Sequence, residues 1–138
     1  MPGDATAPDT VELARELLET GHRGEWDRAM EFFSPRAVWV AIDAIEAFEG
    51  PAMRDFWIEW YSAYEDVHIE IVDLVDLGGG LVMAVIHQSG RFGDAPTRIT
   101  QDATLLYEWS SGLVDRVTSY ARPDEARAAA ERLLEERA

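Results

Sequence analysis

The sequence contains no cysteine, which excludes disulfides, thiolate nucleophiles and thiolate metal ligands. Lysine is absent too, so each of the 12 cationic side chains is an arginine. Against 27 Asp and Glu they leave a net charge of −15. A phosphate backbone would meet a repulsive field, and no nucleic acid partner is expected. No stretch approaches the ~20 consecutive apolar residues of a membrane span, so no membrane partner is expected either. Residues 1–8 lack the basic and apolar regions of a signal peptide, and the expected location is cytoplasmic. The three histidines are His22, His68 and His87. No two stand four residues apart and no His-Glu-x-x-His occurs, so no metal is expected.

What is present reads as one soluble domain. At 138 residues, 47% hydrophobic and 28% charged, the chain is long enough to bury roughly two thirds of its unfolded surface. Residues 1–8 show no periodicity and are expected to be a flexible arm, with a single domain over 9–138. Asp9-Thr10-Val11-Glu12 has the spacing of a capping box, which predicts a helix start. Leu13, Ala14, Leu17 and Leu18 form its apolar stripe, and Gly21 with Gly24 ends it. A second short helix is predicted with Trp26, Ala29, Met30 and Phe33 on its buried side, stopped at Ser34-Pro35.

The strands follow from period-two alternation. In Ala37–Asp43, Trp39, Ala41 and Asp43 share one face, and the loop Ala44–Gly50 leads to Pro51, which opens a helix. That helix carries Met53, Trp57, Trp60 and Tyr64 at helical spacing, widened by Phe56 and Tyr61. Such a stripe is more often core packing than a ligand wall. A strand from Val67 ends in the reversal Asp76–Gly80, and Leu81–Ser89 follows. Gly90–Thr97 then connects to a strand beginning near Arg98. Leu105, Tyr107 and Trp109 alternate with Thr104, Leu106 and Glu108. Ser110-Ser111-Gly112 turns the chain into a last strand to Tyr120, and Pro123-Asp124-Glu125 opens a closing helix. Leu81–Ser89 is apolar on both faces apart from its end. An antiparallel sheet covered by helices on one side therefore needs a second cover, most simply a homodimer.

The run Gly21–Trp39, GHRGEWDRAMEFFSPRAVW, resembles the opening of SnoaL-like and ketosteroid-isomerase-like proteins of the nuclear-transport-factor-2-like superfamily. The resemblance continues through Phe48-Glu49-Gly50, Gly112-Leu113-Val114 to Tyr120, and Asp124-Glu125-Ala126, and covers roughly residues 9–130. It implies an α+β fold in which a curved antiparallel sheet packs on helices as a cone with an internal pocket, a cystatin-like roll, commonly dimeric through the outer sheet face. It also implies a range of activities, because one fold hosts many sites. Members include steroid isomerases, polyketide cyclases, epoxide hydrolases, dehydratases and proteins that only bind or assemble. The isomerase-like members place a general-base carboxylate at the end of the first strand, and Asp43 is the nearest candidate, about two positions later than that pattern. In the region where epoxide hydrolases of this fold carry Arg-x-Asp this chain has His87-Gln88-Ser89, and Ser119 stands at their last Asp. Arg122 replaces the carboxylate frequent after the final-strand Tyr.

Asp43 also has the inward parity of Trp39, and burial would raise it toward a useful base. His87 ends an apolar face as an alternative acid or base. Tyr120 and Tyr107 are candidate donors to a developing oxyanion. Asp102 has the opposite parity from Tyr107 and is expected at the surface or an interface, while His22 and His68 are expected to be exposed. The expected catalytic set is Asp43, His87 and Tyr120, converging on a substrate wall of Trp39, Trp57, Trp60 and Tyr107. The expected reaction is cofactor-independent acid/base chemistry, that of an isomerase, cyclase or dehydratase, on a small hydrophobic cyclic molecule. The alternatives are a protein that binds such a molecule without chemistry and a dimeric assembly module.

Overall fold

A computed structural model describes residues 9–42, 46–93 and 96–137. Helix α1 (Thr10–His22) is capped by Asp9, whose carboxylate accepts from the backbone N–H of Val11 at 3.1 Å and of Glu12 at 3.3 Å. Only half of the expected box forms, because the Glu12 side chain turns to Arg15 at 3.6 Å. Helix α2 is short (Trp26–Met30), and Phe33 opens β1 (Phe33–Val40) rather than closing that helix. The short strand β2 (Ala47–Glu49) lies in the stretch read as a loop. It is held to β1 by three register pairs, with Phe48 opposite Trp39. Three residues are too few for an alternation to show in the sequence. Helix α3 (Pro51–Ala63) precedes β3 (Tyr64–Gly78), β4 (Leu81–Phe92), β5 (Arg98–Ser110) and β6 (Leu113–Tyr120), and α4 (Pro123–Arg137) closes the chain.

The strands form one curved, unclosed sheet in the order β2-β1-β6-β5-β4-β3. Strands β3 to β6 run as an antiparallel meander, and the β3–β4 register shifts at three places. Each shift bends and twists the ladder, which is how a long hairpin curls around helices. The β5–β6 turn places Ser111 and Gly112 at φ 54° and 81° between paired Ser110 and Leu113. Both signs match the two-residue turn that suits strand twist. One pairing is not antiparallel: β1 runs parallel to β6, with Trp39 opposite Val117. The two are far apart in sequence, so no hairpin dictates their direction.

Helices α1, α2 and α3 fill the concave side. Ala14, Leu17, Ala29, Met53 and Trp57 meet Val82, Ala84, Ile86, Leu105 and Tyr107 in the main core. On the convex side, Leu81 and Leu106 are buried under Ala129 and Ala130 of α4, flanked by Tyr120, Leu133 and Leu134. This corrects the expectation that the chain leaves that face bare. The second apolar face of β4 is covered at its Leu81 end by the chain's own last helix, so its apolarity is no argument for a second subunit. Beyond α4 the same face turns polar, with His87, Glu70 and Asp102 in neighbouring register positions.

A clasp fixes α4. Arg137 donates to the Gly79 carbonyl at 2.6 Å and to the Glu108 carboxylate at 3.2 Å. Arg116 stands 4.0 Å from the same carboxylate. Burial pushes the Glu108 pKa up, against the pull of Arg137 and Arg116. A carboxylate whose folded pKa is raised makes the folded state the stronger proton binder, so its contribution to stability falls as pH rises from its ordinary value through the raised one. The expected result is that wild type loses stability relative to Glu108→Gln as pH rises through that acid window. Urea unfolding of both proteins at a series of pH values measures it. A wild type that gains on the variant over the same range would mean that the arginine contacts outweigh the burial.

Candidate functional site

Between the concave sheet face and the helices lies a cavity of about 330 Å³. Helix α3 contributes most of one wall, because Phe56, Trp57, Trp60 and Tyr61 recur at three and four residues and so share a face. Trp57 stands at its centre. Its ring is 5.5 Å from Trp39, edge to face, 5.4 Å from Phe33 and 6.1 Å from Trp26. Trp26 in turn meets Tyr61 edge to face at 4.8 Å. Separations and angles of this kind are the favoured ones for aromatic quadrupoles. The sheet supplies the opposite wall with Ile86 and Gln88 of β4, Gln101, Ala103 and Tyr107 of β5, and Ser119 of β6.

Polar groups are few in this wall. The Gln88 amide donates to Gln101 at 3.5 Å across β4 and β5. Tyr61 and Tyr107 are held above the ordinary phenol range by burial, so both keep their protons at neutral pH. Among the described residues, five buried side-chain atoms lack a hydrogen-bond partner, and two of these, Trp57 Nε1 and the Tyr61 hydroxyl, belong to the cavity wall. No Asp, Glu or Arg lines the cavity among the described residues. His22, exposed at the end of α1, lines it with its ring 6.5 Å from that of His68.

The structure brings together Trp39, Trp57, Trp60 and Tyr107, all lining the cavity. Asp43 lies outside the described residues and directly follows Ile42, which lines the cavity with Ala41. His87 and Tyr120 do not join them. On β4 it is Ile86 and Gln88 that face the cavity, so His87 points the other way, where its Nδ1 sits 2.6 Å from the exposed Asp102 carboxylate. Ser119 faces the cavity from β6, and Tyr120 packs beneath α4. Burial there raises the Tyr120 pKa, away from any cavity chemistry. Both corrections have one cause. The faces carrying His87 and Tyr120 are apolar because α4 covers their neighbours, and alternation alone does not say which apolar face is concave. Gln101 was legible from its shared parity with Tyr107, and Tyr61 from its place in the α3 stripe. Nothing in the sequence marked Gln88 or Trp26 as wall residues.

A curved sheet wrapped on three helices around an aromatic cavity is the architecture of ketosteroid isomerase-like and cystatin-fold proteins. The structure is similar to a protein of ketosteroid isomerase-like fold from Catenulispora acidiphila solved with trimethylamine, at TM-score 0.71 and 16% identity over 79% of this chain and 84% of that one. It is similar to a cystatin-fold protein from Novosphingobium aromaticivorans, at 0.71 and 19% over 82% and 98%. It is also similar to SalBIII, an epoxide hydrolase/cyclase-like enzyme of pyran ring formation in the polyether salinomycin, at 0.71 and 20% over 83% and 92%. The chain belongs to the SnoaL-like domain family, whose pattern it matches over residues 14–117. No curated protein sequence matches it. Among the described residues no helix is long and apolar enough to cross a membrane.

Proposed function

We propose that this SnoaL-like protein binds a small, largely apolar, ring-containing molecule in the cavity between α3 and the concave sheet. The observation that carries this reading is a space of about 330 Å³ walled by Trp26, Trp39, Trp57 and Trp60 with no charged carboxylate or guanidinium among the described lining residues. Its volume falls within the range of small-molecule sites, and flat aromatic walls match flat or cyclic guests. The ligand and cyclase-type chemistry named for the structural neighbours support a small-molecule role for the same space.

A catalytic version of this reading rests on Asp43. It follows Ala41 and Ile42, which both line the cavity, and a carboxylate there would abstract a proton next to a carbonyl. Such help is worth typically 10²–10⁴-fold in rate. Asp43→Asn would then abolish turnover and leave binding intact, whereas a binding protein would show no turnover to lose.

Calorimetric titration of the purified protein with a panel of bicyclic aromatic and alicyclic molecules tests the binding reading. Saturable one-to-one binding is expected, weakened by at least about tenfold in Ala103→Phe, which puts a ring into the cavity. Absence of saturable binding across the panel, or binding that Ala103→Phe leaves unchanged, would place the ligand elsewhere or nowhere.

A further inference from the structure

Among the described residues that line the cavity, the side chains that can ionise are His22, Tyr61 and Tyr107. Burial holds both tyrosines above the ordinary phenol range, so neither can take a proton from a guest at neutral pH. That leaves the imidazole, the group that most often moves protons in catalysis. His22 is also exposed. A side chain that lines a cavity and still meets water stands at its mouth, where it can take a proton on one side and release it on the other.

The surroundings of His22 are built rather than incidental. It is the last residue of α1, where the helix ends in free carbonyls and a positive charge is favoured. The cations near it are already matched, Arg23 by Glu25 at 3.3 Å and Arg98 by Asp66 at 2.8 Å. Asp66 lies where the β3–β4 register shifts between Glu65 and His68, at φ 54°, a left-handed conformation unusual for a residue with a side chain. Arg98 holds it there by donating to its carboxylate and to its backbone carbonyl, both at 2.8 Å. Bulges of this kind re-aim the side chains beside them. Here the Asp66 carboxylate meets His68 at 3.2 Å, and the His68 ring stands 6.5 Å from that of His22.

We propose that His22 is a catalytic base of the cavity, taking a proton from a carbon of the bound molecule and releasing it to water at the mouth. This rests on the cavity being a ligand site and does not depend on Asp43. The substrate class is a carbon acid, an apolar molecule with a C–H bond weakened by an electron-withdrawing neighbour. The imidazole lone pair takes the proton and the C–H electron pair stays with the substrate, so the step balances without an oxidant or reductant.

The flat bicyclic probe 5-nitrobenzisoxazole reports this step by colour. Removal of its ring proton sends the C–H pair into a nitrile, breaks the N–O bond and leaves a phenolate. The wild type should turn it over saturably, faster than an equal concentration of free imidazole by at least about 10²-fold. In His22→Gln, kcat should fall by at least about tenfold while KM stays within about twofold, and in His22→Ala added imidazole should restore part of the lost rate, which it would not do for a purely structural residue. Quenching of tryptophan fluorescence reads binding of the probe separately. If the probe binds but the wild type is no faster than free imidazole, or if His22→Gln keeps the rate, the inference is overturned and the cavity remains a ligand site. If the probe does not bind, the ligand-site reading itself fails and this inference falls with it. The comparison of wild type with free imidazole holds even if a variant does not fold.

Discussion

Trp57→Ala should destabilise the protein by about 3–5 kcal/mol, the cost of removing a large aromatic from a core that cannot close over the gap. Trp57 is 8% exposed and contacts three other rings, from α2 and β1. It joins α3 to α2 and β1, and α3 is tied to α2 again by Arg54, which donates to Asp27 at 2.8 Å. Two features pull the cost toward the lower end of the range. One side of the indole already borders the cavity, so part of its surface has no packing partner to lose. Its N–H also has no hydrogen-bond partner among the described residues, and alanine removes that penalty. Urea unfolding gives the number directly, with an unchanged slope confirming that the midpoint shift is a stability change. A loss below about 1 kcal/mol would mean that the ring is solvated and that the aromatic wall is an open surface. Trp60 makes the internal control. It is only half-buried and meets Tyr61 and Tyr64 at the cavity edge, so its truncation should cost less.

Gly80→Ala is expected to cost about 2–4 kcal/mol for a different reason. Gly78 ends β3, opposite Leu81, and Gly79 and Gly80 make the β3–β4 turn, at φ 86°, 59° and 82° in that order. Each position disfavours a side chain, but the surroundings rank them. A Cβ on Gly78 meets nothing within 4 Å, and one on Gly79 meets the end of Leu134 at 2.7 Å, a flexible group that can swing aside. A Cβ on Gly80 would sit 2.6 Å from the Trp109 carbonyl oxygen. That oxygen cannot rotate away, because Trp109 is held in the sheet and its N–H donates to the Gly80 carbonyl at 2.8 Å. The expected order of destabilisation is Gly80→Ala, then Gly79→Ala, then Gly78→Ala, measured by the same unfolding experiment. Equal losses at all three would show that backbone conformation alone sets the cost and that the contact with Trp109 relaxes freely.

The sequence by itself determined much of the local structure, because each local signal depends on residues a few positions apart, although Phe33 opens β1, Tyr64 opens β3 and β2 lies in the stretch read as a loop. The Asp9 cap, the α3 stripe of Met53 and Trp57, the Ser111-Gly112 turn and the α4 start at Pro123 all appear where their spacing put them. The resemblance of Gly21–Trp39 to SnoaL-like proteins also identified the fold, since it drew on the order of motifs over the whole chain. Period two likewise sorted each strand into two sides, and it placed Trp39 and Tyr107 on the side that became the cavity. It did not decide which side of β4 or β6 faces inward. Both sides of Leu81–Ile86 are apolar, one for the cone and one for α4, so the hydrophobic pattern was degenerate where His87 and Tyr120 were at stake. Only the tertiary structure resolved this, by laying α4 across Leu81 and Leu106 and turning Gln88 and Ser119 into the cavity. The parallel seating of β1 on β6 belongs to the same class, since backbone pairing between distant strands is set by the curvature of the whole sheet and leaves no mark on either strand's sequence.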